Sequence, residues 1–433
     1  MTPAARLAAA AEVLDAVGAS AAPAESVLKT WGQAHRFAGS KDRRAIADRV
    51  YRCLRHRARL AWAGESGDGR TLVLFSLALL DDLDVPAIET LYTGEGYGPA
   101  PLIAEERARL SAPPGEPPAW VAAGLPHFTA EDFQRRFGDA WAEEADALML
   151  PRAPVDLRVN SARSSREAAM AALAAEGIES APSPLSAWGL RLSAQPAPDV
   201  QTLEAFRDGR IEIQDEGSQL AAWLGGAKPG ETVIDFCAGG GGKTLALAQG
   251  MAGSGRLVAC DVELRRVEAI RPRLDRAGLE ADLRVLGSHG EGVEDLAEAA
   301  HLVFVDAPCS GSGTWRRRPE AAWRLTSDEV ERLHALQVSI LARAARLVRP
   351  GGRLAYVTCS VLGRENEDSA EAFAAAHPQL SPTPIVDALN TPDLTLAARA
   401  RLAELAGASH RLQLTPHRTQ TDGFFIALFQ RTA

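Results

Sequence analysis

The fold is decided by one stretch of the chain, Thr232-Val233-Ile234-Asp235-Phe236-Cys237-Ala238-Gly239-Gly240-Gly241-Gly242-Lys243-Thr244. Its β-branched and apolar beginning predicts a buried strand. Four consecutive glycines then let the backbone turn tightly and approach a ligand closely. The residues that follow, through Leu245 and Ala248, predict a helix. A strand, a glycine-rich turn and a helix in this order are typical of α/β domains that bind a nucleotide or a related cofactor.

Strand and helix patterns alternate on the C-terminal side of this stretch. A long helix is predicted between residue 326 and Pro350. Further strand patterns occur at residues 256–260, 283–286, 302–305, 353–358 and 423–429. This alternation predicts a doubly wound, mostly parallel sheet with helices on both faces. Ligands of such folds bind at the carboxyl ends of the strands, so we expect the functional residues at that edge.

The chain divides into three segments that differ in their sequence patterns. Residues 1–145 predict one helix after another, because Ala, Leu and Arg are prominent and β-branched runs are nearly absent. Residues 151–222 carry short strand patterns around an Ala-rich helix, which predicts a small α+β subdomain. Residues 223–433 hold the alternating α/β pattern. A length of 433 residues also favours more than one domain.

The composition is that of a globular protein, with 46% hydrophobic and 24% charged residues. The N-terminus lacks the pattern of a signal peptide, and no run of about 18 apolar residues occurs. The five cysteines are widely spaced and predict neither a disulfide framework nor a paired metal-binding motif. We therefore expect a cytoplasmic protein with no metal and no membrane association. We also expect a monomer, because no coiled coil or repeat is visible.

The net charge of −9 argues against a nucleic-acid partner, but the local charge does not. Between Lys41 and Arg59 there are eight Lys and Arg residues against two Asp. Arg52, Arg55 and Arg59 are spaced so that they share one face of a helix. This face is either a solvated helix surface or a surface that contacts phosphates, and the charge pattern alone does not decide between them.

The glycine loop is compatible with more than one kind of ligand. A phosphate loop requires Gly-x-x-x-x-Gly-Lys-Ser/Thr, and Cys237 occupies the position of its first glycine. A dinucleotide fingerprint fails because Thr244 stands at its last glycine. A purely structural turn needs fewer glycines. Asp261 follows the second strand at the position that accepts hydrogen bonds from ribose hydroxyls, which favours an adenosine-containing cofactor without a phosphate to bind.

Two cysteines follow neighbouring strands of the predicted sheet. The fourth strand ends in Asp306-Ala307-Pro308-Cys309, and the fifth ends in Thr358-Cys359-Ser360. Each residue has a structural alternative, since Cys309 can be a small buried apolar residue and Asp306 a helix cap. Two cysteines at the ends of adjacent parallel strands are nevertheless expected to face the same crevice.

Five motifs of the chain resemble a known family when they are taken in order. From about residue 155 onward the chain resembles the Nop/Sun family of RNA cytosine-C5 methyltransferases. The resemblance is carried by five motifs of this sequence, at residues 214–218, 235–244, 306–314, 358–360 and 422–425. The basic stretch from Gly39 onward resembles the helical NusB-like RNA-binding domain of the RsmB branch, which modifies small-subunit ribosomal RNA. Two departures occur: Gly239-Gly240 replace the usual Ala-Pro, and Gly287-Ser288 stand where the family usually has an Asp.

This resemblance implies a Rossmann-like methyltransferase domain that uses S-adenosylmethionine to methylate carbon 5 of a cytosine. Cys359 is the implied nucleophile, with Asp306 holding the base and Cys309 assisting release, although Pro308-Cys309 is a competing nucleophile by analogy with DNA cytosine methyltransferases. The implied substrate is small-subunit 16S rRNA, with tRNA as an alternative, and a non-catalytic RNA-binding protein is a further one. Arg158, Asn160 and residues 316–318 are candidate contacts to the RNA backbone, although a run of Arg beside an active site can also be a solvated loop. The predicted cofactor contacts are Cys237, Ala238, Gly239, Gly240, Gly241, Gly242, Lys243, Asp261, Arg266, Ser288 and Asp306.

Overall fold

A computed structural model describes residues 1–112, 115–193, 198–288 and 290–432 of the chain. These residues form two compact units. The first comprises Met1–Arg152 together with Trp315–Thr326, and the second comprises Ala153–Thr314 together with Ser327–Ala433. The finer division at 1–145, 151–222 and 223–433 stays a prediction. In the described part of the chain, no helix is both long enough and apolar enough to cross a membrane.

The first unit is helical, as the sequence predicts. The helix α1 begins after Thr2, whose hydroxyl accepts the Ala5 N–H at 3.2 Å. Leu14, Val50 and Leu72, from α1, α3 and α5, are buried in its common core. Its helices before residue 153 are α1 (Pro3–Ala19), α2 (Ala24–Ala34), α3 (Ser40–Arg55), α4 (Arg57–Gly64), α5 (Gly69–Leu80), α6 (Val85–Glu89), α7 (Ala104–Ser111), α8 (Ala119–Ala122), α9 (Ala130–Phe137) and α10 (Trp141–Met149).

A small antiparallel sheet opens the second unit. Its strands lie in the order β2-β3-β1-β4, and β1 pairs with both β3 and β4. The sequence predicts three of these strands and misses β2, whose three residues are too few to show a pattern. The elements of this part are β1 (Asp156–Val159), α11 (Arg166–Ala175), β2 (Ser180–Pro182), β3 (Gly189–Leu192), α12 (Glu204–Arg207), β4 (Ile211–Ile213) and α13 (Glu216–Gly225).

The expectation that Arg158 and Asn160 contact RNA is wrong, because both side chains are buried in the protein. The Arg158 guanidinium donates to the side-chain oxygens of Gln214 at 2.6 Å and Gln249 at 2.5 Å. Burial lowers the pKa of Arg158 to about 10. The Asn160 amide donates to the Ala277 carbonyl at 2.8 Å. These side chains therefore join the small sheet to Gln249 and Ala277, which lie on two helices of the α/β part.

The large sheet has the predicted doubly wound arrangement. Its order is β10-β12-β9-β8-β5-β6-β7, with β11 paired to β12. The pairs among β5 to β9 are parallel, whereas β12 runs antiparallel to β9. Its elements are β5 (Thr232–Asp235), α14 (Gly242–Gly250), β6 (Arg256–Asp261), α15 (Leu264–Ala277), β7 (Asp282–Val285), β8 (Ala300–Asp306), α16 (Pro319–Ala322), α17 (Ser327–Ala345), β9 (Val348–Thr358), α18 (Glu367–Ala376), β10 (Leu380–Pro382), α19 (Leu396–Ala406), β11 (Arg411–Leu414), α20 (Pro416–Thr419) and β12 (Phe424–Arg431).

The core of the α/β part lies on both faces of this sheet. Alternate residues of β8 point to opposite faces, so Phe304 packs in one apolar cluster and Val303 and Val305 pack in the other. The strands are apolar almost throughout because both faces are covered. The sequence predicts the parallel strands and β12, but it misses β10 and β11, which are short.

The segment Trp315–Thr326, which includes α16, belongs to the helical unit although it lies between β8 and α17 in the chain. The Arg55 guanidinium donates to the carbonyl of Arg316 at 2.8 Å, and the Trp323 indole donates to the carbonyl of Leu54 at 2.8 Å. The Arg316 side chain is buried. The expectation that Arg316 contacts RNA is therefore wrong.

Candidate active site

The candidate active site lies at the topological switch point of the large sheet. The strand β5 pairs with β6 on one side and with β8 on the other, and β8 pairs with β9. Because these four strands are parallel, their carboxyl ends meet at one edge. Asp235, Asp261, Asp306 and Cys359 stand at or next to those four ends. The sheet therefore brings together residues that are distant in the chain, since Asp235 and Cys359 are 124 positions apart.

The glycine loop between β5 and α14 has two residues in the left-handed region. Gly239 has φ +52° and Gly241 has φ +82°. A Cβ at Gly241 would lie 2.9 Å from the Ile270 side chain, whereas a Cβ at Gly239 would meet nothing within 4 Å. The Gly239 N–H donates to Asp261 Oδ2 at 2.9 Å. The loop is therefore packed at Gly241 and open at Gly239, where a ligand can approach the backbone.

Lys243 forms an ion pair across the switch point. Its ammonium lies 2.7 Å from Asp306 Oδ2 and 4.9 Å from the centre of the Phe424 ring. Burial acts to lower the pKa of Lys243, but the charge and hydrogen bond of Asp306 outweigh it and raise that pKa. The lysine is therefore charged and bound to a carboxylate.

Asp235 is a fully buried carboxylate of the site. Its Oδ2 accepts the Thr244 hydroxyl at 2.7 Å, while its Oδ1 is buried and has no hydrogen-bond partner among the described residues. Burial raises the pKa of Asp235 to about 7. With Asp261 and Asp306 it makes this edge of the sheet acidic. Such an edge suits hydroxyl donors and cationic groups, and it disfavours a phosphate.

The two predicted cysteines meet in the structure. Their sulfur atoms, Cys309 Sγ and Cys359 Sγ, lie 3.4 Å apart and are not joined by a disulfide. The hydrogen bond to Cys359, together with burial, raises the pKa of Cys309 well above its usual value. Cys309 therefore holds its proton and can donate it toward the sulfur of Cys359.

A buried glutamate that the sequence analysis missed connects the two cysteine loops. The Glu365 carboxylate accepts the backbone N–H of Ser310 at 2.7 Å and the hydroxyl of Ser360 at 2.6 Å. It also accepts the Ser310 hydroxyl and, at 3.2 Å, the amide of Gln337. Ser310 follows Cys309 and Ser360 follows Cys359, so one carboxylate holds both loops. The only sequence signal is the position of Glu365 just before α18.

A close glycine contact explains the motif at residues 422–425. The Gly423 N–H donates to the Gly313 carbonyl at 2.8 Å, and the Gly313 N–H donates to the Cys359 carbonyl at 2.9 Å. A Cβ on Gly313 would lie 2.0 Å from the Gly423 oxygen. Glycine is required at residue 313, because any side chain would push the Cys359 loop and the start of β12 apart.

Some predicted cofactor residues lie in other environments. Arg266 is exposed and pairs with Glu263 at 2.7 Å. Ser288 is exposed, and its carbonyl accepts from Arg343 at 3.2 Å. The Cys237 thiol is packed against the core, and burial raises its pKa well above the usual value. Among the residues that the structure describes, no group of three or more His, Cys, Asp or Glu could hold a metal ion.

The fold and the site together define a class of protein. A doubly wound sheet with a glycine loop, an acidic switch point and two adjacent thiols is an α/β domain of the methyltransferase class. Residues 222–430 match the family described as 16S rRNA methyltransferase RsmB/F. Residues 125–198 match a Methyltr_RsmF/B-like, ferredoxin-like domain. The chain belongs to this RsmB/F family.

Individual relatives support this assignment. The chain is 33% identical over 312 residues to the probable ribosomal RNA small subunit methyltransferase B of Bacillus subtilis (strain 168), covering 71% of this chain and 66% of that protein. It is also 33% identical over 290 residues to ribosomal RNA small subunit methyltransferase B of Pseudomonas putida, covering 66% of this chain and 63% of the relative. The chain thus spans slightly less than two thirds of the length of these relatives.

A solved structure matches the fold over the whole length. The crystal structure of PH0851 has a TM-score of 0.76, with 24% identity, and the match covers 100% of this chain and 99% of that one. The likeness shows that the fold of this chain occurs in a known structure.

Proposed function

We propose that this protein is an S-adenosylmethionine-dependent methyltransferase that methylates carbon 5 of a cytosine in small-subunit 16S rRNA through a covalent adduct with Cys359. The observation that carries the proposal is the 3.4 Å separation of Cys309 Sγ and Cys359 Sγ beside the Lys243–Asp306 pair. Membership of the RsmB/F family supports the choice of substrate.

The residues of the switch point fit S-adenosylmethionine. Asp261, at the end of β6, can accept from ribose hydroxyls, and the open backbone around Gly239 admits the amino-acid part. The buried Oδ1 of Asp235 is an acceptor without a partner among the described residues, and Asp261 and Asp306 supply further carboxylate oxygens at the same edge. The cofactor supplies an electrophilic methyl group on a positively charged sulfur, which an acidic site favours.

Cys359 makes carbon 5 of the cytosine nucleophilic. Its thiolate donates an electron pair to carbon 6, and a sulfur–carbon bond forms while the electrons of the double bond between carbons 5 and 6 move to carbon 5. Lys243 occupies Oδ2 of Asp306, so Oδ1 of Asp306 is left to hold the base edge and stabilise a proton on ring nitrogen 3. Carbon 5 can then take up the methyl group.

Cys309 completes the reaction. Its raised pKa has the hydrogen bond with Cys359 as its main cause, and that bond is broken once the Cys359 sulfur is bound to carbon 6. Once Cys309 has released its own proton to water, its thiolate can take the proton from carbon 5. The carbon–hydrogen electrons re-form the double bond, the sulfur–carbon bond breaks, and Cys359 leaves as a thiolate. This division of roles favours Cys359 over Cys309 as the nucleophile.

The target cytosine must leave its stack to reach a crevice of this kind, so a loop or single-stranded site suits it better than a duplex. Methylation of a tRNA by the same chemistry is the alternative substrate. A non-catalytic RNA-binding role is disfavoured, because both thiols and Asp306 are held in one place by hydrogen bonds.

The test incubates the Cys309→Ala variant with S-adenosylmethionine and 16S rRNA and separates the products on a denaturing gel. We expect a persistent protein–RNA adduct, because removal of Cys309 blocks release of Cys359. The adduct should be absent in the Cys309→Ala/Cys359→Ala double variant. Cys53→Ala is the matched control, since Cys53 is buried in the helical unit, and it should accumulate no adduct.

Two results would contradict the proposal. An adduct in Cys359→Ala but not in Cys309→Ala reverses the roles of the two thiols. Transfer of a methyl group to tRNA alone, measured with labelled cofactor on both RNAs, moves the substrate away from 16S rRNA.

A further inference from the structure

The helix α15 contacts the outer part of the glycine loop with two side chains. The Arg273 guanidinium donates to the Gly240 carbonyl. About one turn earlier on the same helix, Ile270 lies against Gly241, since a Cβ at Gly241 would lie 2.9 Å from the Ile270 side chain. Residues three apart in a helix share a face. One face of α15 therefore covers two successive glycines, one with a cation and the other with an apolar group.

The Arg273 side chain is itself held by a buried carboxylate. Glu212, on β4 of the small sheet, is 8% exposed, and its Oε1 lies 3.2 Å from the Arg273 guanidinium. Its Oε2 pairs with Arg276 at 2.5 Å, and the Arg276 guanidinium lies 4.0 Å from the centre of the Phe206 ring. Charge-assisted hydrogen bonds of this kind fix a guanidinium in one orientation. Arg273 therefore joins the glycine loop to the small sheet.

The loop contains one peptide group that depends on its neighbours for its orientation. The Gly239 N–H donates to Asp261, and the Gly241 N–H donates to an earlier carbonyl of the same loop at 2.9 Å. Between these bonds, the Gly239 carbonyl and the Gly240 N–H have no hydrogen-bond partner in the described part of the chain. Two adjacent glycines let such a peptide group rotate, because neither residue has a Cβ that restricts φ and ψ. The bond from Arg273 to the Gly240 carbonyl restrains it on one side.

We infer that Arg273 is a positioning residue for cofactor binding, which keeps the peptide group between Gly239 and Gly240 in the orientation that the cofactor requires. The inference rests on the proposed function for the identity of the cofactor, S-adenosylmethionine. The loop is open at this point, because a Cβ at Gly239 would meet nothing within 4 Å. Without Arg273, cofactor binding would include the cost of ordering this peptide group. Fixing the backbone of one residue is enough to weaken binding about tenfold.

The test measures the affinity of the full chain for S-adenosylhomocysteine, the cofactor without its methyl group, by isothermal titration calorimetry. We expect Arg273→Met to weaken this binding about tenfold. In methyl transfer, the KM for S-adenosylmethionine should rise by a similar factor, while the KM for RNA stays at the wild-type value. The kcat should change less, because bound cofactor orders the loop in both proteins. Without ligand, hydrogen exchange at the Gly239 and Gly241 amides should become faster.

Two further variants separate contact with the loop from other effects of the substitution. Arg276→Met removes a cation of the same helix that pairs with Glu212 and Phe206, so it should bind S-adenosylhomocysteine like the wild type. Gly240→Ala, added to Arg273→Met, should restore about threefold in affinity, because alanine restricts the backbone of the free loop. Alanine fits there, since Gly240 does not have a positive φ and its added Cβ would lie 3.4 Å from Arg273 Nη1. Denaturant unfolding checks that every variant is folded.

The outcomes separate this inference from the proposed function. If the wild type binds S-adenosylhomocysteine and Arg273→Met binds it equally tightly, Arg273 does not position the loop, and the inference is overturned. Equal weakening in Arg276→Met would also overturn it, because the effect would then come from lost charge beside Glu212. If the wild type binds no S-adenosylhomocysteine, the proposed cofactor is wrong, and the inference fails with it.

Discussion

The ammonium of Lys243 lies 2.7 Å from Asp306 Oδ2, across the point where the sheet reverses its strand order. In a phosphate loop, the lysine at this position binds the phosphates of a nucleotide. Here it is bound to a carboxylate and lies over the ring of Phe424, and the charge of Asp235 also acts to raise its pKa. The same strand, loop and helix therefore suit a cofactor without a phosphate.

Replacement of Lys243 by Met should abolish most methyl transfer. The variant leaves the Asp306 carboxylate without its cationic partner. The loss of this ion pair changes the position and the charge of the carboxylate that is proposed to hold the base. We expect a fall of at least about tenfold in kcat/KM, consistent with removal of one electrostatic interaction in a site. Lys228→Met, on an exposed side chain, is the control. Calorimetric binding of ATP by the wild type would instead support a P-loop NTPase.

Replacement of Glu365 by Ala should destabilise the second unit. The change leaves the donors of Ser310, Ser360 and Gln337 without their acceptor in a buried place. Loss of a buried hydrogen-bonded charge costs roughly 3 kcal/mol. Denaturant unfolding measures this cost. Glu331→Ala, which removes an exposed pair with Arg364, should cost at most about 1 kcal/mol. Equal costs in the two variants would show that Glu365 does not hold the loops.

Alanine should be tolerated at Gly239 better than at Gly241. Both residues have positive φ, so each substitution costs about 1–2 kcal/mol of backbone strain. Only at Gly241 would the added Cβ also lie 2.9 Å from Ile270. The unfolding free energy of Gly241→Ala should therefore fall further than that of Gly239→Ala. A reversed order of the two variants would contradict the packing of this loop.

The buried carboxylate of Asp235 should make stability depend on pH. Its pKa is about 7 in the folded protein, against about 3.9 in an unfolded chain. Between these values the folded state keeps a proton that the unfolded chain has released, so the unfolding free energy falls as the pH rises. Asp235→Asn cannot ionise and keeps an acceptor for Thr244. Relative to the wild type, it should gain about 1.4 kcal/mol for each pH unit in this window.

The comparison is made by denaturant unfolding at pH 5 and pH 7.5. The difference in unfolding free energy between the wild type and the variant removes the contributions that both proteins share. One of these comes from Glu216, because burial also raises its pKa to about 7. Asp387→Asn, at an exposed position, should show no such trend. A constant difference between Asp235→Asn and the wild type at the two pH values would contradict a protonated Asp235.

Local patterns predicted most of the α/β part. The strand before the glycine loop, the ends of β8 and β9 and the long helix α17 are each visible in a few consecutive residues, because burial on a sheet or helix repeats with a short period. The role of Glu365 was not predictable in this way. Its partners Ser310, Gln337 and Ser360 come from separate segments, and only the folded chain brings them to one carboxylate.

The charge of a residue was the least reliable guide to whether its side chain lies free on the surface. Arg158 and Arg55 are basic residues that a sequence places on a surface, yet both donate to protein oxygens inside their own unit. Lys29 and Arg44 look the same in the sequence and are exposed without a partner. The difference depends on which oxygens lie within reach of each guanidinium or ammonium group after folding.

By itself, the sequence determined the class of fold, the glycine loop and the two cysteines, because spacing along a strand or turn is a local property. The tertiary structure decided the 3.4 Å approach of the two thiols, the pairing of Lys243 with Asp306 and the placement of Trp315–Thr326 in the helical unit. Each of these depends on contacts between residues far apart in the chain. Such contacts form only when parallel strands align their ends and buried polar groups find partners.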